Sequence, residues 1–169
     1  MKPKTISVAF CGVFLFGFAF SYAGIGLWAR VGYEQSYYAA LPPLYHRLSE
    51  ERERKIVLIG NSSVAFGVNS SLLENEFPGY KVHNFGLYGA IGSKTMLELS
   101  KPCIKERDIV ITLLEPFPQT ASLYFSGLDL WRAIETEPRL GLLLEEKERQ
   151  TMVGDYARFL GEKGRYLLS

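Results

Sequence analysis

Between Ile6 and Trp28 the chain carries no charged side chain, and the run ISVAFCGVFLFGFAFSYAGIGLW limits what the first thirty residues can become. A helix rising about 1.5 Å per residue over such a stretch matches a hydrocarbon core roughly 30 Å thick. Apolar residues on every face are uncommon on a helix of a water-exposed domain. The pattern predicts an N-terminal transmembrane helix within residues 1–30. Lys2 and Lys4 ahead of the run and Arg30 behind it put the amino terminus on the cytoplasmic side and the remainder outside. A cleaved signal peptide is the alternative, because Ala19-Phe20-Ser21 and Ser21-Tyr22-Ala23 are small-x-small sites at a suitable depth. Under both readings the rest of the chain is exported.

That remainder is a folding sequence. Hydrophobic residues are 47% of the chain, aromatics 14% and charged residues 22%, too apolar for a disordered segment. Lys and Arg number 19 against 18 Asp and Glu, a net charge of +1 that gives no electrostatic basis for binding nucleic acid. Cys11 and Cys103 make no disulfide framework, and His46 and His83 have no ligand-spaced companions, so neither a metal nor another cofactor is expected. Residues 31–54 read as a juxtamembrane connector, with interfacial tyrosines and with Pro42-Pro43 disfavouring one long helix. From residue 55 to 169 the pattern changes. Ile56-Val57-Leu58-Ile59 closed by Gly60 fits a buried parallel strand, Lys81 to Phe85 a second, and Asp108 to Leu114 a third. Ser70 to Glu76, with Glu74 at a capping-box position, and Gly89 to Ser100, with Met96, Leu97 and Leu99 in helical period, separate them as helices. Strand, helix, strand, helix, strand predicts an α/β domain. Residues 120 to 168 read as helices and loops, and Lys147, Arg149, Arg158, Lys163 and Arg165 as a solvated helix face.

The chemically informative stretch is Gly60-Asn61-Ser62-Ser63-Val64-Ala65-Phe66-Gly67, which starts where the first strand ends. Ligands gather at the carboxyl ends of strands in open parallel sheets, so the hydroxyls of Ser62 and Ser63 are candidate site groups. A serine on such a turn can attack a carbonyl while its own N–H and a nearby glycine N–H hold the oxyanion. The same letters also spell an ordinary turn and helix N-cap. GNSSVAFG has neither the Lys-Ser/Thr of a P-loop nor a G-x-G-x-x-G run, so it spells out no phosphate cradle.

The strand followed by GNSSVAFG resembles the first block of the SGNH, or GDSL-like, hydrolase superfamily, and Asn84-Phe85-Gly86-Leu87-Tyr88-Gly89 resembles its second, an Asn-x-Gly-x-x-Gly pattern. The resemblance implies a three-layer, flavodoxin-like parallel-sheet fold with Ser62 as nucleophile and Gly89 N–H as oxyanion donor. It further implies that Asn61, at the position of the usual Asp, and Ser63 and Asn84 lie at the substrate. With the N-terminal segment, the chain is similar to membrane-anchored SGNH-like proteins of bacterial envelope and exopolysaccharide systems. That likeness implies a single pass through the inner membrane, a domain on the periplasmic or extracellular side, and an acylated glycan as substrate.

Two departures set the alternatives. Where the third block carries Gly-x-Asn-Asp, this chain has Leu113-Leu114-Glu115-Pro116, and an ionised Glu115 accepts rather than donates, leaving it to orient a sugar hydroxyl or to face water. The Asp-x-x-His block is absent, since no histidine stands three residues after Asp108, Asp129 or Asp155. His83 and His46 are poor substitutes by position, and the domain is expected to be incomplete at Ser169. One reading is an esterase or O-acyltransferase acting through Ser62. The other is a non-catalytic module that binds a glycan or docks to a membrane-bound acyltransferase or synthase. Tyr88, Phe117, Tyr124, Phe125 and Trp131 are candidates for lining its sugar groove or, equally, for packing.

Overall fold

The computed structural model describes residues 3–28, 33–113 and 124–167. The chain divides into two compact units, Met1–Val31 with Ala157–Ser169, and Gly32–Tyr156. The first contains helix α1 (Pro3–Trp28). Among the described residues no helix is long and apolar enough to cross a membrane. The expectation of a single-pass inner-membrane anchor is corrected on this finding.

The second unit opens with two 3-10 turns, Tyr33–Gln35 and Tyr37–Ala40, and helix α2 (Leu41–Glu50). Pro42 and Pro43 occupy the first turn of α2, where their missing N–H groups are no loss and their fixed φ suits the helix. Strand β1 (Lys55–Gly60) is buried along its whole length, as a continuous aliphatic run requires. Short helices α3 (Ser62–Gly67) and α4 (Ser70–Glu76) lead to β2 (Lys81–Gly86), and α5 (Ser93–Ser100) leads to β3 (Ile109–Thr112). Helices α6 (Gly127–Ala133) and α7 (Glu146–Leu167) follow. The sheet order is β2-β1-β3, parallel throughout, with Lys55 beside Lys81 and Ile56 beside both Val82 and Ile109.

Alternation along β1 divides the core. Ile56 and Leu58 meet Val64 of α3 and Val82, with Val68, Leu73 and Tyr80 packed around them. Val57 and Ile59 turn the other way, onto a larger cluster with Leu41 and Leu48 of α2, Met96 and Leu99 of α5, and Leu130 and Ile134. Burying each such aliphatic side chain is worth about 1.5–3 kcal/mol relative to exposure. At its start β1 is latched to the turn before β3. Lys55 Nζ lies 2.7 Å from Asp108 Oδ2, both side chains being essentially inaccessible, and Asp108 Oδ1 accepts the Lys55 N–H at 3.1 Å.

The three-layer expectation is also corrected. The described residues are mostly helical, with one small sheet, and within the second unit helices pack on both faces of β1 while the four residues of β3 are all exposed. The Asp108–Leu114 stretch reads as a buried strand from its composition. Within the described residues it is instead a short strand on the sheet's open side, with no neighbour beyond it.

Candidate functional site

The end of β1 and the end of β2 are pinched together by α3. A Cβ on Gly86 would lie 2.6 Å from Ala65 N and 2.8 Å from Val64 Cβ, and one on Gly60 would collide with Val64 Cγ2. Glycine at both strand ends therefore lets α3 sit directly on the sheet and fixes Ser62, its first residue, at the carboxyl end of the central strand. Asn61 is the N-cap, its side-chain oxygen accepting the Ser63 N–H at 2.8 Å. The Asn61 amide thus shapes the turn, and Ser63 is exposed with its N–H already taken.

Asn84 binds the site together from below. Its Nδ2 donates to Val64 O at 2.8 Å, with longer approaches to the carbonyls of Ala65 and Val68, while its Oδ1 accepts the Gly86 N–H at 3.0 Å. These bonds satisfy carbonyls at the end of α3, so Asn84 braces β2 against α3, and it also lines a larger cleft along β2. Gly89 begins a 3-10 turn, Gly89–Ile91, directly after Tyr88.

Ser62 lines a cavity of about 180 Å³ with Tyr37, Ala65, Phe66, Leu87 and Tyr88. Tyr37 and Phe66 meet edge to face with centroids 5.5 Å apart, and Tyr88 meets Tyr38 likewise at 5.6 Å. Phe66 is 70% exposed and Tyr37 64%, unusual for aromatics that only pack. Tyr38 is fixed in turn. Its hydroxyl donates to Asp129 Oδ1 at 2.6 Å, and Arg132 holds the same carboxylate oxygen at 2.7 Å. Burial, then the Asp129 hydrogen bond, pushes the Tyr38 hydroxyl up to about 12, so it stays a protonated donor.

A second cleft of about 680 Å³ shares Tyr37, Ala65, Phe66 and Leu87 with the serine pocket and runs along the outer edge of β2. Glu51, Arg47, Glu74, Lys81 and His83 supply its polar lining. Two outward amides of β2 are closed by side chains, Val82 N–H by Glu74 Oε1 at 2.8 Å and Gly86 N–H by Asn84. Glu74 therefore serves β2 instead of a capping box, and Asn69 caps α4. His83 Nε2 lies 3.3 Å from Glu51 Oε2, and that carboxyl is held below its usual range, first by the Glu53 N–H. His46 pairs with Glu137 at 2.7 Å. Neither histidine lines the serine pocket, and among the described residues no carboxylate does either.

Glu115 and Phe117 lie outside the described residues. Of the other candidate groove aromatics, Tyr88 lines the pocket and Tyr124 is exposed. Phe125 and Trp131 pack on the core, and the Trp131 indole N–H donates to Met152 O at 2.7 Å. Sequence reasoning missed Tyr37 and Phe66. Phe66 stood inside the quoted motif, and an exposed aromatic on so short a helix was its available signal. Tyr37 stood in a segment read as connector. Comparison with family models, with curated proteins and with solved structures found no match.

Proposed function

We propose that this chain is a binding module of serine-hydrolase type, whose Ser62 pocket and adjoining cleft take an acylated glycan, with Ser62 as a binding hydroxyl. One observation carries the reading: Ser62 sits among Tyr37, Phe66 and Tyr88, and among the described residues no histidine or carboxylate lines the same pocket. Exposed aromatic faces suit the C–H faces of a sugar ring or an acyl methyl, and a hydroxyl adds one directional bond. The 680 Å³ cleft beside it falls within the common size range of ligand sites, roughly 300–1,000 Å³. The motif resemblance to SGNH hydrolases supports the same placement of Ser62.

Acyl transfer by Ser62 is the second reading, favoured by the serine's place at the end of the central strand. A serine without a general base is a weak nucleophile, and the missing base costs on the order of 10² to 10⁴ in rate. The two readings separate in a paired titration and turnover assay of the full chain with an O-acetylated oligosaccharide. Binding without acetate release is expected, and Ser62→Ala weakens it about five-fold, one hydrogen bond's worth. Acetate release that Ser62→Ala abolishes overturns the binding-module reading in favour of catalysis.

A further inference from the structure

Glu98 meets a sequence-neighbouring pair, Glu145 and Glu148, at the junction of α5 and the start of α7. Glu98, Glu145 and Glu148 each bring a carboxylate oxygen to within 4.8 Å of the others, Glu98 and Glu148 buried and Glu145 exposed. Glu98 Oε2 accepts the Glu145 N–H at 2.8 Å, which ties the two segments together. The Lys94 ammonium stands where the three converge, 2.6 Å from Glu98 Oε1, 3.1 Å from Glu145 Oε2 and 4.0 Å from Glu148 Oε1. Lys101 reaches the other Glu145 oxygen at 2.5 Å.

Charge and hydrogen bonding both remain incomplete there. Three carboxylates face two ammonium groups, leaving a net negative charge at a place enclosed on the Glu98 and Glu148 side and open at Glu145. Glu148 is 8% exposed, and its Oε2 is buried with no hydrogen-bond partner among the described residues. An unsatisfied buried charged oxygen is costly and calls for a cation or donor. We propose that Glu98, Glu145 and Glu148 form a binding site for one calcium ion, with the Lys94 ammonium as the competing occupant.

Coordination chemistry selects the ion. Calcium takes about six to eight oxygen ligands in flexible geometry, whereas magnesium demands a near-ideal octahedron at about 2.0–2.1 Å. Three carboxylate oxygens within 4.8 Å of one another, on two separate segments, suit the flexible calcium shell once the Lys94 ammonium moves aside. Lys94 can yield because its side chain reaches solvent, 23% of it being exposed, and its four-carbon stem is flexible. The ligands lie 47 and 50 positions from Glu98 along the chain, so no ligand-spacing motif announces them.

The test is calorimetric titration of the full chain with calcium chloride, and separately with magnesium chloride, beside Glu148→Gln and Lys94→Met. Saturable one-to-one calcium binding is expected, in the range of about 0.1–1 mM typical of extracellular calcium modules. Magnesium binds at least about ten-fold more weakly, Glu148→Gln weakens calcium about ten-fold, and Lys94→Met, with its competitor removed, tightens it about ten-fold. Should Glu148→Gln fail to fold by circular dichroism, Glu145→Gln, which changes an exposed ligand, gives the same readout. Absence of saturable calcium binding in both the native chain and Lys94→Met up to about 10 mM overturns the proposal. So does calcium binding that the glutamate substitutions leave unchanged.

Discussion

The two outer strands of the sheet carry opposite solutions to one problem. A strand edge presents backbone amides that any other chain can pair with, and proteins block or cover such edges. At β2 the edge is blocked at two amides: Glu74 and Asn84 side chains occupy those of Val82 and Gly86, and α2 and α4 residues wall the flanks into a cleft. At β3 nothing comparable occurs among the described residues. Ile109, Val110 and Ile111 are each 40–45% exposed although successive side chains point to opposite faces. The difference teaches that a closed edge can double as a site wall, because the groups that satisfy it also shape the groove leading to Ser62. An open apolar edge is instead an adhesive surface.

The largest effect belongs to the latch that holds β3 to β1. Asp108→Ala strands the Lys55 ammonium in the core and is expected to cost about 3–5 kcal/mol in urea unfolding. Lys55→Met with Asp108→Leu recovers most of the loss, since a buried ion pair exchanged for apolar groups is often neutral. The same pair sets an acid limit. Burial raises the Asp108 pKa, but the Lys55 ammonium and the Lys105 and Lys55 amides outweigh it and hold the carboxyl below its ordinary value. A depressed folded-state pKa contributes stability fully above the unfolded value and loses it as pH falls. Unfolding free energy should therefore decline below about pH 4, and the decline should shrink in the double variant.

Next comes the closed edge. Asn84→Ala removes the bracket between β2 and α3 and is expected to cost about 1–3 kcal/mol, with loss of glycan binding because Ser62 is no longer held. Glu74→Ala uncovers one amide for about 1 kcal/mol and should make the chain more prone to associate in light scattering. The smallest stability change is at the open edge. Ile111→Lys should alter unfolding by about 0.5 kcal/mol or less, yet reduce concentration-dependent association. If Ile111→Lys destabilises as strongly as Asn84→Ala, the contrast between the edges fails.

How much of this could be read from the letters follows from the range of each interaction. β1 was legible because burial on both faces leaves a continuous aliphatic run, whereas α4 was legible in its span but not in its cap, which is Asn69 and not a capping box with Glu74. The exposure of β3 was not legible, since its aliphatic letters match a buried strand and only the missing neighbours reveal otherwise. The uncharged N-terminal run suggested a membrane span, but no described helix meets the required length and apolarity. Ser62 was found by its place after a strand, whereas Tyr37 joined it only through folding of a segment twenty-odd residues earlier. Glu74 and Asn84 carried familiar motif roles in the sequence, and their tertiary bonds gave them others.

Phe66→Ala offers the most direct test of the site, because Phe66 is exposed, lies in the aromatic pocket and contributes little to the core. Calorimetric titration of an O-acetylated oligosaccharide into the full chain and into Phe66→Ala, with urea unfolding of both, separates binding from folding. Saturable binding by the native chain, weakened about ten-fold or more in the variant at nearly unchanged stability, is the expected result. Equal binding by the two proteins, or none by the native chain, contradicts the assignment of the Ser62 pocket as the ligand site.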